Sequence, residues 1–536
     1  MTQTNERSGA VTSTVGDRPP KTRRARREIA PSGKVAHEPQ LVQRSIVRAG
    51  AVHPLTCIIA STFLLYGTYA VSRHRQYLTA GYDLGIFDQA VRAYSQFRAP
   101  LVPLKGEGFN LLGDHFHPII ALLAPLYWLW DDPRMLLLAQ AALIALSAIP
   151  VWRFARRRWS ASIATLLTIG FLLGWPLQGM SDFDFHEVAF AVPLLAWLLD
   201  ALDRDRDVEV AAAGAMLLLV REDMGAVVLV VGLLRAIRRR PRWPGFVVAA
   251  GGASAFVIIT QLVIPAIAGT GYQYWDYPVL GSGPGDIAKT VLTHPWTIVA
   301  DFFSPAVKTY TLIALFGPLL FLPLASPLTL AALPILAERF LADRTSLWTT
   351  EFHYNAPVWA ILFIAALDGL RRVDQFHVPR SRTRVRTTIG AAAMISVIPV
   401  IATTGFAGTA AGMFPLARMV NAQAWSLSAH TADQQAALAS IPVDTCVTAD
   451  DRLAAHLTKT NRVTIPGISA PSPDYVLLDL DQAYPANPHP TQPWRNATTE
   501  GVMTTALHEG YSVEHVYGHV VVLQRASMAP RATCRP

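Results

Sequence analysis

Charge and cysteine are what this 536-residue chain has least of: 16% of its residues are charged and three are cysteine. So low a charged fraction, beside 51% hydrophobic residues and a mean hydropathy of +0.30, excludes an ordinary soluble domain and points to a multi-span membrane protein. Three cysteines fit neither a zinc site nor a disulfide framework. Cys57 lies in the first apolar run and reads as a small buried hydrophobe. Cys446 and Cys534 both fall in the polar C-terminal region, where an oxidising outer compartment would permit a disulfide between them. No glycine-rich phosphate loop is present, so nucleotide binding has no support. No internal repeat rises above generic hydrophobicity. No cleavage pattern follows the first apolar run, which is therefore expected to remain as a signal anchor. The net charge of +8 sits largely in short loops between apolar runs, where it sets topology, and no nucleic-acid partner is expected.

What is present divides the chain into three parts. Residues 1–50, centred on Lys21-Thr22-Arg23-Arg24-Ala25-Arg26-Arg27, lack the apolar surface to fold and are predicted to be a disordered basic cytoplasmic tail. Residues 51–410 carry about eleven apolar spans by the length and charge rules. Residues 411–536 turn polar and predict a small α/β domain, with strands at 445–448, 474–479 and 519–524 and helices at 450–457 and 501–510. Sidedness follows from arginine. If 119–130 is a re-entrant or surface helix and not a crossing, then Arg153, Arg156, Arg157 and Arg158 stay inside, and so do Asp200 to Asp207, Arg238 to Arg240 and Arg371 to Arg386. Arg221-Glu222-Asp223 then interrupts 209–237 at an outer turn between two short spans. The N-terminus is expected in the cytoplasm and the C-terminal domain outside, with the chain in the cytoplasmic membrane.

The first outer loop, 73–133, opens on Tyr82-Asp83-Leu84-Gly85-Ile86-Phe87-Asp88-Gln89. From there Leu84, Phe87, Val91 and Tyr94 recur at helical spacing while Asp88, Arg92 and Ser95 share the opposite side, which predicts an amphipathic helix lying along the membrane surface. Asp88 and Arg92 are four apart and can pair. The same outer side collects Asp114, His115 and His117, then Asp182, Asp184, His186 and Glu187, then Arg221, Glu222 and Asp223, and finally Glu338, Arg339, Arg344, Glu351 and His353. Carboxylates suit deprotonation of an incoming hydroxyl, while guanidinium, imidazole or a divalent metal suits charge developing on a phosphate leaving group.

These motifs, YDLGIFDQ, GDHFHP, DFHE and the following RED, resemble an uncharacterised family of bacterial multi-pass membrane proteins, a domain of unknown function grouped with the GT-C glycosyltransferases that use polyprenyl-phosphate sugars. The resemblance covers roughly residues 55 to 480. It implies a GT-C-like helical membrane domain with surface helices in the first outer loop, followed by the outer α/β domain. It also implies an inverting transfer with Asp83 as general base. The acidic pair of such enzymes is adjacent or one residue apart, whereas Asp83 and Asp88 are five apart; Asp182 and Asp184 have that spacing in a later loop.

The expected function is transfer of a sugar from a lipid-linked donor to an envelope glycan or glycolipid acceptor. Asp83, Asp88, His186 and Glu187 are the candidate catalytic residues. Arg221, Glu222, Arg339, Arg344 and His353 would bind substrate or phosphate. Asp83, His115, His117 and Asp184 would hold a divalent metal, Mg or Mn, if one is used. Bland readings stand beside these: Asp83 as a helix N-cap, Asp88 as the partner of Arg92, the histidines as interfacial polar residues, Arg221 as half of an internal ion pair, and the Trp and Tyr of 272–277 as membrane-interface anchors. Two other functions remain open. A transporter or lipid-carrier flippase would place its charges near the bilayer midplane on broken helices. A non-catalytic envelope scaffold would not need Asp83.

Overall fold

A computed structural model describes residues 53–281, 284–377, 414–468, 473–482 and 498–526. The expected tail, 1–50, and the expected last span, 389–407, lie outside the described residues. Three helices are long and apolar enough to cross a membrane, Pro54–Arg75, Arg134–Arg156 and Trp243–Ala268, or up to five spans if each of two bent pairs counts as one. About eleven spans were expected from hydropathy; the other described helices do not pass on length and composition, the 23-residue Asn355–His377 among them because it carries Asp368, Arg371 and Arg372. The breaks have local causes. Pro176 opens the second half of the pair Ala161–Leu172 and Trp175–Asp182, bent by 41°, and Pro305 separates Pro295–Phe303 from the following helix, bent by 72°.

The long helices look apolar on their outside. Phe246, Val247, Val257 and Leu262 on Trp243–Ala268 are all more than half exposed, a lipid-facing pattern and not that of a water-facing helix. The inner side of the same helix packs closely on Met224–Arg238, where a Cβ on Gly232 would lie 2.3 Å from the Ala249 nitrogen. Glycine there lets the two backbones meet.

The charged connectors pair among themselves. Asp200, fully buried, is held by Arg153, Arg157 and Arg204, and Asp207 by Arg235 at 2.5 Å. The triplet Arg221-Glu222-Asp223 does interrupt two short helices, Asp207–Leu217 and Met224–Arg238. The apolar stretch after Pro118 is a 3-10 turn, Pro118–Leu123, and a six-residue helix, Ala124–Leu129, too short to cross.

The C-terminal region builds one five-stranded sheet in the order β2-β1-β3-β5-β4. β1 (Cys446–Ala449) pairs in parallel with β2 (Arg462–Thr464) and β3 (Tyr475–Asp479), and β5 (Val520–Arg525) runs antiparallel to both β3 and β4 (Tyr511–Tyr517). The expected strands and both helices are there, at Asp451–Ala454 and Thr499–His508; β2 and β4 escaped the sequence reading, β2 because three residues give no period. Cys446 is disulfide-bonded and Cys57 is free; the expected partner, Cys534, lies outside the described residues.

Candidate active site

The stretch around Asp83 folds as a single π-helical turn, Gly81–Gly85, running into the helix Ile86–Ser95. A π turn admits one extra residue and is weaker than an α turn, so it persists where its surroundings hold it, often at functional sites. No side chain caps either element, so the carboxylate of Asp83 is not an N-cap. It is a quarter exposed and meets the His186 Nε2 at 3.5 Å. His186 stacks on His353 with ring centroids 3.8 Å apart, and Phe183 stacks on both. The Nδ1 atoms of His186 and His353 are buried and have no hydrogen-bond partner among the described residues. Burial, with the neighbouring His186 and Arg221, holds the His353 imidazole well below its usual range, so it is neutral.

A second group begins one residue on. Tyr354 feels both Arg221 and Asp83. Arg221 pairs with Asp223 at 2.6 Å, Glu187 at 3.7 Å and Glu338 at 4.0 Å. Glu222 accepts from the Phe116 N–H at 3.0 Å and the Tyr272 hydroxyl at 3.1 Å, and contacts His115 Nδ1 at 2.6 Å. Asp114 binds Lys105 and accepts from the Tyr274 hydroxyl at 2.5 Å, and Tyr274 stacks on His115. Asp83, His186, His353, Glu187, Arg221, Glu222 and His115 thus share one polar region.

Other expected site residues are placed elsewhere or are already engaged. Asp88 is fully buried, bonded to Arg92 at 2.6 Å and to the Tyr127 hydroxyl at 2.6 Å, which leaves it no access to a substrate. The helix it lies on does not rest along the membrane with a wet face: Arg92 is 3% exposed and donates to the Thr458 carbonyl of the C-terminal region at 2.7 Å. Arg339 is buried and donates to the carbonyls of Leu347 and Tyr354. Of the three expected phosphate-binding arginines, Arg344 is the most exposed, its side chain 23% accessible, 4.8 Å over the Tyr274 ring and 3.8 Å from Asp276. The four expected metal ligands do not converge. His115 faces Glu222, His117 is buried against Phe87, and Asp184 is held by Arg73 at 3.0 Å and by the Ala80 N–H at 2.7 Å. Among the described residues, no group of three or more His, Cys, Asp or Glu side chains is disposed to hold a metal ion.

Sequence reasoning missed Arg73, Lys105, Asp451 and the tyrosine hydroxyls of 272–274. Arg73 had a signal, a cation where the first span ends; Tyr272 and Tyr274 were read as anchors. Asp451 had none, since 368 residues separate it from Asp83 and only folding brings it near. Its Oδ1 accepts the Tyr82 N–H at 2.7 Å. Asp184 sits at φ 61, a left-handed conformation that aspartate tolerates better than most residues.

Burial lifts the Asp184 carboxyl to about 6, Arg73 opposing and Asp83 adding to the rise. Burial, then Asp83, lifts Asp451 to about 7. Both groups therefore bind protons more tightly folded than unfolded. The stability this contributes is fully present below their unfolded values and is lost as pH rises through about 6 to 7. Melting temperature should fall from about pH 4 to about pH 7, and Asp451→Asn should flatten part of that fall; an unchanged slope in the variant would assign the titration to another group.

No curated protein sequence matches the chain. Among solved structures it is similar to ArnT from Cupriavidus metallidurans bound to undecaprenyl phosphate, with a TM-score of 0.51 at 15% identity, covering 90% of this chain and 100% of that one. The apo structure of the same ArnT aligns with a TM-score of 0.47 at 13% identity, over 88% of this chain and 97% of that one. At such identities the likeness is one of fold alone. Residues 73–515 match the family model described as a predicted membrane protein, and the chain therefore belongs to the DUF2079 family.

Proposed function

We propose that this protein is an inverting glycosyltransferase that moves a sugar from a polyprenyl-phosphate donor to a cell-envelope glycan or glycolipid at the outer face of the cytoplasmic membrane. One observation carries the reading: Asp83, on a π turn next to the end of the first long apolar helix, keeps a partly open carboxylate against His186 inside a fold shared with ArnT. ArnT was solved with undecaprenyl phosphate bound, and a lipid phosphate of that kind is the leaving group here. Asp83 accepts the proton of the acceptor hydroxyl as its oxygen bonds to the anomeric carbon, and the bond from that carbon to the phosphate oxygen breaks on the opposite face.

His186 holds the Asp83 carboxylate from one side, and the neutral His353 stacked on it excludes water there. The phosphate charge is met by Arg344 and by the edge of the Arg221 cluster. In this reading the N-terminus is cytoplasmic, and residues 51–410 and 411–536 form the membrane domain and the outer domain. Transport is less well supported, because the charges gather beyond helix ends and not on a broken helix within a span.

The test is direct. Full-length protein in vesicles should release polyprenyl phosphate from a labelled polyprenyl-phosphate sugar, and mass spectrometry should find polyprenyl-phosphate species among the copurifying lipids. Failure of both, across a panel of donors, removes the proposal.

A further inference from the structure

The turn that carries Asp83 is fastened from two directions. The helical part supplies Asp184, which takes the Ala80 N–H at 2.7 Å and is itself held by Arg73. The C-terminal domain supplies Asp451, which takes the Tyr82 N–H at 2.7 Å. Both amides belong to the opening of a helical turn, where backbone N–H groups have no partner within the helix, and buried ones need an acceptor from elsewhere.

The approach of the C-terminal domain is close enough to demand glycine. A Cβ on Gly81 would stand 2.6 Å from the Ala454 Cβ and 3.1 Å from the Asp451 carbonyl oxygen. At the far end of the turn, a Cβ on Gly85 would meet the Thr458 side chain at 3.4 Å and Leu104 at 2.7 Å. The two glycines of the motif thus admit the short helix Asp451–Ala454 and the chain after it. Contacts continue beyond the turn, where Gln89 donates to the Val463 carbonyl at 3.2 Å and Arg92 to that of Thr458 at 2.7 Å. Asp451 itself is placed by β1, which it follows after one residue, so its position is set by the parallel pairing with β2 and β3.

We infer that Asp451 is a positioning residue for Asp83, holding the π turn open by accepting the Tyr82 N–H, and that the C-terminal domain is thereby part of the catalytic apparatus. The inference rests on the reading of Asp83 as general base. Without the acceptor, the turn relaxes toward the more stable α register, and the Asp83 carboxylate rotates away from the cleft.

The experiment compares full-length wild type with Asp451→Ala, Asp451→Asn and Asp83→Asn in vesicles. Asp451→Ala should lower kcat by about 10- to 100-fold through misplacement of the base, with the donor KM held within about twofold. Asp451→Asn keeps an amide oxygen for the same N–H and should restore most of that loss. Hydrogen exchange should quicken about tenfold in the peptide spanning residues 80–86 of Asp451→Ala and not in Asp451→Asn. A wild-type kcat in Asp451→Ala, beside an inactive Asp83→Asn, overturns the positioning role and leaves the proposed function standing. Equal losses in both Asp451 variants, tracking melting temperature, also overturn it by making the contact merely structural. If wild type transfers no sugar, the proposed function fails, and the exchange of residues 80–86 alone decides whether Asp451 holds the turn; no change there rejects that too.

Discussion

Asp83→Asn is expected to cut sugar transfer by about 10²- to 10⁴-fold, the range for loss of a general base, while fold and donor binding survive. The substitution keeps the shape and polarity of the side chain. It breaks no cap, because neither the π turn nor the helix after it is capped by a side chain, and the one ion-pair contact it weakens is that to His186 at 3.5 Å. A drop in kcat at constant melting temperature and constant KM is therefore the signature of lost chemistry. Activity within about tenfold of wild type would move the base elsewhere. Glu187 would be the next candidate by chemistry, although Arg221 stands 3.7 Å from it.

Arg92→Met is expected to be the most destabilising single change in residues 73–133, by about 3–5 kcal/mol, because it leaves a buried carboxylate without its counter-charge. Asp88 is fully buried and, among the described residues, has only the Tyr127 hydroxyl besides Arg92. The same guanidinium also pairs with Asp131 at 2.9 Å and donates to the Thr458 carbonyl, so its loss loosens the contact with the C-terminal domain as well. Thermal melting in detergent measures this. The double variant Asp88→Leu with Arg92→Met should recover a good part of the loss, since removing both charges removes the uncompensated one. A double variant as unstable as Arg92→Met would locate the cost in lost packing and not in charge.

Much of this was legible from residue types alone because the physics involved is local or one-dimensional. Hydropathy is a property of a window of chain, so the membrane class of the protein followed from composition. The Asp88–Arg92 pair followed from helical spacing, and the break at Arg221-Glu222-Asp223 from the cost of charge in an apolar run.

What the sequence could not assign was which of several chemically suitable side chains would remain available. Arg339 and Arg344 look alike in the chain, yet Arg339 is buried against carbonyl oxygens and Arg344 stays partly exposed. His115 and Asp184 carry ligand chemistry, yet Glu222 and Arg73 reach them first. Asp83 is the converse case: its spacing is right for a helix cap, but it sits inside a π turn, uncommitted to any cap and a quarter exposed. Composition and hydropathy determined that this is a membrane protein. Tertiary contact decided the site itself, because a polar group buried in a packed interior is committed to whichever partner the fold brings within hydrogen-bonding distance, and distance along the chain says nothing about which partner that is.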